Sequence, residues 1–346
     1  MIINHKEIDV SGINSSISEL NTNVSTLQNT PICVFTNEVH SLNESVSTLP
    51  YNFYQGSAVV YNNEIHILGG AGGKANHYKW NGTSWVSVST LPYDFYYGSA
   101  VVYNNAIHIL GGYDVNYTAH YKWNGSSWST ASALPYGFRH GSAVVYNNAI
   151  HILGTSTDVN SYKKHYKYNG SRWTSVSTLP YEFYNGSAVV YNNEIHILGG
   201  AGSYANRIHY KYNGSSWVSV STLPYEFAHG SAVVYNNKIR ILGGSNNNYY
   251  TNHYKWNGTS WVSVSILPYE FYNGSAVVYN NEIHILGSKN NYTKHYKIMG
   301  DTKLSGYAKA NTKLYLPQIS YALTDNLEKI TDGYRVTEDG YVEILI

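Results

Sequence analysis

The sequence predicts an all-β fold, a six-bladed β-propeller, with a short additional segment at each end. Three observations carry that prediction. The string Gly-Ser-Ala-Val-Val-Tyr-Asn-Asn occurs six times, beginning at Gly56, Gly98, Gly141, Gly186, Gly230 and Gly274. Its copies are 42, 43, 45, 44 and 44 residues apart, the period of a four-stranded blade. The part missing from the last copy lies ahead of the first.

Taken in chain order, residues 1–38 come first. Val10, Ile13, Ile17, Leu20, Val24 and Leu27 are spaced 3, 4, 3, 4 and 3 apart, with Ser, Asn and Thr between them. This is an a/d seam over about two and a half heptads, so a short oligomerising coiled coil is expected. A single amphipathic helix packed on its own chain is the alternative, since a helix this short needs a partner surface. No basic stretch followed by an apolar one opens the chain, and no Sec leader is expected.

Residues 39–300 form the propeller. In the first unit Ser57 to Tyr61 is a continuously apolar strand, and Asn62-Asn63 turns the chain into Ile65 to Leu68. His77 to Trp80 is the third strand, followed by Asn81-Gly82, a hairpin signal because both residues tolerate positive φ. Trp85 to Leu91 alternates apolar and small polar residues until Pro92 ends it. The sixth unit stops at Ile298-Met299-Gly300 without a fourth strand, whereas Ser45 to Pro50 repeats Ser87 to Pro92. Residues near 39–50 are therefore expected to close the sixth blade as its outer strand, leaving no open sheet edge between first and last blades.

Residues 301–346 read as a small β-rich domain. Strands are expected at Leu314-Tyr315-Leu316 and Tyr341 to Ile346, a turn at Asp332-Gly333 and a helical turn at Asp325 to Ile330. Forty-six residues are few for independent stability, so docking to another surface is expected.

The repeated unit resembles the kelch motif: Gly-x-Ala-Val-Val, an Asn turn, Ile-x-Ile-Leu-Gly-Gly, then Tyr-x-x-Asn-Gly-x-x-Trp. Thr155 and Ser288 replace the second glycine in two copies. The kelch resemblance implies the fold and leaves function open, because such propellers serve as enzymes, adaptors and adhesins.

Charged residues are 12% of the chain and the formal net charge is +1, so no nucleic-acid partner and no membrane insertion are expected. Polarity comes instead from 37 Tyr and 39 Asn, which suit contact with neutral, hydroxyl-rich partners. The single cysteine, Cys33, excludes an internal disulfide and a Cys-based metal cluster.

Comparing the six copies separates what the fold demands from what is free to vary. The Asn-Asn and Asn-Gly hairpins hardly change. The second-to-third-strand loops and the residues before each first strand vary strongly, and alternation of connections puts both sets on one face of the disc. Tyr54, Gln55, Tyr96, Tyr97, Arg139, His140, Tyr184, Asn185, His229, Tyr272 and Asn273 are thus the candidate ligand-binding residues, a mixture of rigid aromatics and adaptable hydrogen-bonding groups. Drift of exposed loops is the competing explanation.

The recurring histidines, His66 and His77 in the first blade and their equivalents, sit at repeat positions with Arg240 in one copy. They are read as structural hydrogen-bonding groups, and no metal and no cofactor are expected. The Trp series (Trp85, Trp128, Trp173, Trp217, Trp261) is read as packing between blades. The acids at Glu182, Glu226 and Glu270 repeat one motif position and offer no unique acid–base pair, so no enzyme is expected.

A heptad segment, a multivalent propeller and a β-rich tail together resemble bacteriophage tail or fibre proteins with kelch-like domains. That resemblance implies a homo-oligomeric virion component, made in the bacterial cytoplasm and released by lysis. It would contact other virion proteins and bind a host-surface glycan or protein. A cytoplasmic kelch adaptor that binds a protein is the alternative, and a propeller enzyme the third reading. Replacing Ile17 and Leu20 with Asp should abolish self-association in sedimentation equilibrium, because a buried seam does not tolerate unpaired carboxylates. A wild-type chain that sediments as a monomer removes the seam reading.

Overall fold

In the computed structural model the described residues are 34–35, 43–113, 117–155, 157–200, 207–246, 248–298 and five strands between 303 and 345. The six seam residues from Val10 to Leu27, with any helix there, and the turn at Asp325 to Ile330 lie outside them. The chain divides into two compact units, residues 43–300 and residues 1–42 with 301–346. In the smaller unit Val34–Phe35 pairs antiparallel with Lys303–Tyr307, which pairs with Tyr341–Leu345, which pairs with Tyr334–Val336. Lys313–Leu316 and Ile319–Ala322 form a separate hairpin.

The larger unit is six four-stranded antiparallel sheets and one two-stranded ribbon, Ser245–Asn246 with Asn248–Tyr249, with no helix among the described residues. The first blade orders Ser57–Tyr61, Glu64–Leu68, Asn76–Trp80 and Trp85–Thr90 from the axis outward. The innermost strands touch around a closed circle, from Ser57–Tyr61 through Ser275–Tyr279 and back. As the repeat arithmetic requires, Asn43–Thr48 is the outer strand of the sixth blade, paired with Lys294–Ile298. Its register shifts between Ser45 and Ser47, the same bulge that the first, fourth and fifth blades carry after the third-strand histidine. The outer strands of the second and third blades are shorter, Trp128–Thr130 and Trp173–Ser175.

The six buried apolar clusters each lie in a seam between two blades. One contains Val59, Tyr61 and Leu68 of the first blade with Leu91, Phe95, Ile107, Ile109 and Trp123 of the second. The last joins Val277, Tyr279 and Leu286 to Leu49, Phe53, Ile65, Ile67 and Trp80. Both faces of every sheet are therefore covered only by neighbours.

The Leu-Gly that ends each second strand follows from this packing. A Cβ on Gly69 would lie 1.9 Å from the Phe95 carbonyl oxygen of the next blade, and one on Gly287 would lie 1.9 Å from that of Phe53. Both glycines have φ near +60°, which non-glycine residues adopt only at a cost. The tyrosine two residues before each such Phe locks the turn, as Tyr51 Oη donates to the Gly69 carbonyl at 2.8 Å and Tyr93 Oη to that of Gly111 at 2.7 Å.

The repeated histidines form buried pairs. Nδ1 of His66, His108, His151, His196 and His284 lies 2.8 Å from Nε2 of His77, His120, His165, His209 and His295 respectively. The chain of bonds crosses the seam in the sixth blade, where Ser47 Oγ is 2.8 Å from His295 Nδ1 and accepts from Trp85 Nε1 at 3.0 Å. Trp85, Trp128, Trp173 and Trp261 are thus bonded between blades, whereas Trp217 Nε1 has no hydrogen-bond partner among the described residues. In the second blade the Ser132 carbonyl, which only accepts, takes the place of the hydroxyl at 3.0 Å from His120 Nδ1. His120 must then carry its proton on Nδ1 and accept at Nε2 from His108.

An N–H···N bond needs one bare nitrogen, so protonating the acceptor opposes two N–H groups. Burial therefore holds these rings neutral. It lowers His66, His108, His151, His196 and His284 to about 4, and His77, His165, His209 and His295 to about 3. His120 falls only to about 4, its carbonyl partner offsetting part of the burial effect.

Two predictions follow from closure and burial. Gly287→Ala should lower the melting temperature far more than Gly258→Ala. Both positions have positive φ, worth about 1–3 kcal/mol of strain, but a Cβ at Gly258 meets nothing within 4 Å. Equal effects would show that strain, not the seam contact, dictates the glycine. Acid should also unfold the propeller early. Unfolded histidines bind protons near pH 6.5 and the folded ones only near 3–4, so stability is complete above about pH 6.5 and declines as pH falls. Each buried histidine forfeits about 1.4 kcal/mol per pH unit in that window. A melting temperature unchanged between pH 7 and pH 5 would refute the neutral pairs.

Candidate functional site

The second-to-third-strand loops and the blade-to-blade connections do share one face, because they bond to each other. Phe95 N–H donates to the Lys74 carbonyl at 2.8 Å and Ala71 N–H to that of Tyr54 at 2.9 Å. Residues 114–116, 156, 201–206 and 247 of these loops lie outside the described residues.

Six of the eleven candidates hold a structural position at the axis. Gln55, Tyr97, His140, Asn185, His229 and Asn273 each have φ between 56° and 61°. Each donates its N–H to the carbonyl of its counterpart in the preceding blade, at 2.7–2.9 Å, from Gln55 to Asn273 around to Asn273 to His229. The result is a closed collar of six backbone hydrogen bonds around the axis. Their side chains pack across it. The Tyr97 and His140 ring centroids are 4.0 Å apart, and those of His140 and His229 6.3 Å. His229 Nδ1 lies 3.1 Å from Asn273 Oδ1. Burial lowers His140 to about 3 and His229 to about 4, with Arg139 adding to the effect on His140.

None of the eleven candidates is an exposed loop tip; all are half-buried. The Tyr series before the collar is engaged with loop tyrosines, Tyr54 with Tyr292 at 5.0 Å and Tyr184 with Tyr162 at 5.2 Å. Tyr272 packs on His229 at 4.9 Å.

One sector departs from this pattern. Tyr96 stacks on Tyr97 at 5.4 Å and on Tyr113 at 5.1 Å, and Tyr113 meets Tyr117 edge-on at 6.0 Å. The Arg139 guanidinium lies over Tyr113 and Tyr117, 5.2 and 5.8 Å from their centroids, and the Lys74 ammonium lies 5.9 Å from that of Tyr96. Tyr113 is 44% exposed. The four tyrosines make a continuous aromatic surface from outer loop to collar, edged by two cations. Tyr113 and Tyr117 were not among the sequence candidates, although both lie in a variable loop; the signal was their type within it. Gly137 fits this sector for a steric reason, since a Cβ there would lie 3.2 Å from both the Tyr117 side chain and Thr157.

The two departures from the double glycine are also explained. Thr155 Oγ1 accepts from the Arg139 N–H at 3.0 Å and donates to the Gly137 carbonyl at 2.9 Å. Ser288 Oγ accepts from the Tyr272 N–H at 2.9 Å and donates to the Glu270 carbonyl at 2.8 Å. A buried hydroxyl thus ties the blade-to-blade connection in those two blades.

Two shallow clefts of about 170 Å³ each lie at equivalent places, where the outer strands of the second and third blades are short. One is lined by Thr118, His120 and Thr130, the other by Lys163, His165 and Ser175. Among the described residues no three His, Cys, Asp or Glu side chains converge on a common point.

No protein-family model matches the chain, and no curated protein matches its sequence. In fold it is similar to the solved structure of YjhT, a β-propeller, with a TM-score of 0.64 and 14% identity over 73% of this chain and 95% of that one. At that identity the likeness is one of fold, that of a six-bladed propeller.

Proposed function

We propose that the chain is a non-enzymatic ligand-binding propeller of kelch type, which holds a hydroxyl-rich ligand, a host-surface glycan, on its variable face as a component of a phage tail or fibre. The observation that carries the binding reading is the tyrosine surface of Tyr96, Tyr97, Tyr113 and Tyr117 with Arg139. It breaks the six-fold regularity of the molecule on the one face whose loops differ. Rigid phenol rings offer flat area for the C–H face of a sugar at low entropic cost, and their hydroxyls with the guanidinium supply donors beside it. Glu182 and Glu226 stand on separate blades as copies of one motif position, which favours binding over acid–base chemistry at this face. The virion setting rests on the layout of heptad segment, propeller and β-rich tail, and an oligomer would add weak contacts through multivalency.

Replacing Tyr96 and Tyr113 with Ala should weaken binding on a glycan array about tenfold and shift the melt little, since both side chains stack on the surface. The control is Asn104-Asn105 on the opposite face, replaced by Asp-Gly to keep the turn. Loss on the control but not on the tyrosine pair would make the uniform face the working surface. Binding to peptides alone would favour the cytoplasmic adaptor, and absence of the chain from purified particles would remove the virion setting.

A further inference from the structure

The most regular chemistry in the molecule lies on the opposite, uniform face. The third-to-fourth-strand hairpins of the first five blades turn through Asn81-Gly82, Asn124-Gly125, Asn169-Gly170, Asn213-Gly214 and Asn257-Gly258, all exposed. In each, one atom carries the turn. Asn81 Oδ1 accepts from Thr83 N–H, Thr83 Oγ1 and Ser84 N–H, each at 2.9 Å. Asn124 Oδ1 accepts the same three bonds from Ser126 and Ser127 at 2.9 Å. The pattern recurs at 2.9–3.0 Å on Asn169, 2.8–2.9 Å on Asn213 and 2.8–3.0 Å on Asn257. The amide nitrogen is spared: among the described residues Nδ2 of Asn81, Asn124, Asn169 and Asn213 has no hydrogen-bond partner, whereas Asn257 Nδ2 donates to Ser260 Oγ at 3.2 Å.

We infer that these five asparagines are sites of spontaneous deamidation that the folded hairpin promotes. Three donors converging on an amide oxygen at hydrogen-bond distance are the arrangement that stabilises an oxyanion on that oxygen. The nucleophile is the backbone nitrogen of the following glycine, which carries no side chain to obstruct it; around Gly258 a Cβ would meet nothing within 4 Å. That nitrogen loses its proton to hydroxide and bonds to the asparagine Cγ, placing negative charge on Oδ1 among its three donors. The Cγ–Nδ2 bond then breaks, and ammonia leaves with a proton from water, giving a cyclic imide. Water adds to either imide carbonyl and opens the ring to aspartate or isoaspartate. No oxidant or cofactor takes part.

The electrostatic consequence is large for a chain so poor in charge. Five carboxylates in place of five amides subtract five from a formal net charge of +1, leaving −4. Where aspartate forms it keeps an oxygen for the three donors and the hairpin persists, whereas isoaspartate lengthens the main chain of the turn by one methylene; the variable face is untouched. The chain thereby acquires an acidic outer rim with age.

Two further Asn-Gly pairs serve as internal controls. Asn185-Gly186 and Asn273-Gly274 belong to the collar, where Asn273 Oδ1 faces His229 at 3.1 Å and a Cβ on either glycine would meet a phenylalanine ring at 2.4 Å. There the backbone is locked and the three-donor arrangement is missing.

The full-length protein should be incubated at pH 8, folded and in denaturant, and peptides followed by mass spectrometry for the gain of about one mass unit that replacing NH with O brings. In the folded protein Asn81, Asn124, Asn169 and Asn213 should convert at least as fast as in the denatured chain. Asn257 should be slowest of the five, because its leaving nitrogen is tied. Asn185 and Asn273 should convert only in denaturant. Thr83→Val removes one donor and should slow Asn81 relative to Asn124 about three- to tenfold. Folded hairpins converting tenfold more slowly than the denatured chain, or an unchanged Asn81 to Asn124 ratio in the variant, would overturn the inference.

Discussion

No blade in this molecule can bury its own apolar surface. Each sheet presents two apolar faces, and each face is covered only by the adjoining blade, so six seams do the work of a single core. A linear stack would leave the first and last faces open, with Ile65, Ile67 and Leu286 in water; each now has no measurable exposure. Burying one such side chain is worth about 1.5–3 kcal/mol, and the closing seam contains eight buried apolar residues. Closure is therefore a condition of folding. The outer strand at Asn43–Thr48 meets it by bringing the chain ahead of the first blade onto the sixth.

Closure explains the details that recur. The seam glycine must be glycine because the neighbouring backbone occupies the place of its Cβ. The buried histidine needs a partner, and the second histidine, the serine or its carbonyl, and the next blade's tryptophan pass hydrogen bonds across the seam. Each of these uses a side chain of defined shape, and the relay repeats except between the third and fourth blades, where His165 Nδ1 and Trp217 Nε1 have no partner among the described residues. Arg240 in the fifth blade departs in another way: it is 1% exposed, with its guanidinium over the Tyr235 ring at 5.5 Å.

Much of this was legible in the sequence. Six near-identical units fixed strand number, order and hairpin positions, and the displaced copy of the Ser-Val-Ser-Thr-Leu-Pro stretch located the closing strand. The face carrying the variable loops followed from the alternation of connections. What could not be read was which variable residues face solvent. Tyr97 and His140 differ from Gln55 and Asn185, so they look unconstrained, yet all four share one left-handed backbone conformation and one ring of hydrogen bonds. Those bonds use only N–H and C=O, and a variable side chain gives no sign of them. The aromatic surface was half legible for a related reason: Tyr96 and Tyr97 precede a repeated Gly-Ser at a fixed distance, whereas Tyr113 and Tyr117 sit in a loop whose differing lengths hide that Tyr117 shares a backbone position with Tyr162, Tyr250 and Tyr292.

The same reasoning decides how the variability of that face should be weighed. Because the collar is held by backbone atoms, the fold leaves its side chains free, and differences between blades there follow without any ligand. Variation alone therefore argues little for binding. Convergence argues more. Four tyrosines from one loop and one connection, with an arginine from the next connection across them, meet in one sector, and free drift at six independent positions has no reason to gather them. The Tyr117–Arg139 contact has counterparts in Tyr292–Tyr54 and Tyr162–Tyr184, whereas Tyr113, bridging Tyr96, Tyr117 and Arg139, has none among the described residues. A cluster that closure does not require, on the face where closure leaves side chains free, is where a binding function can arise without loss of stability.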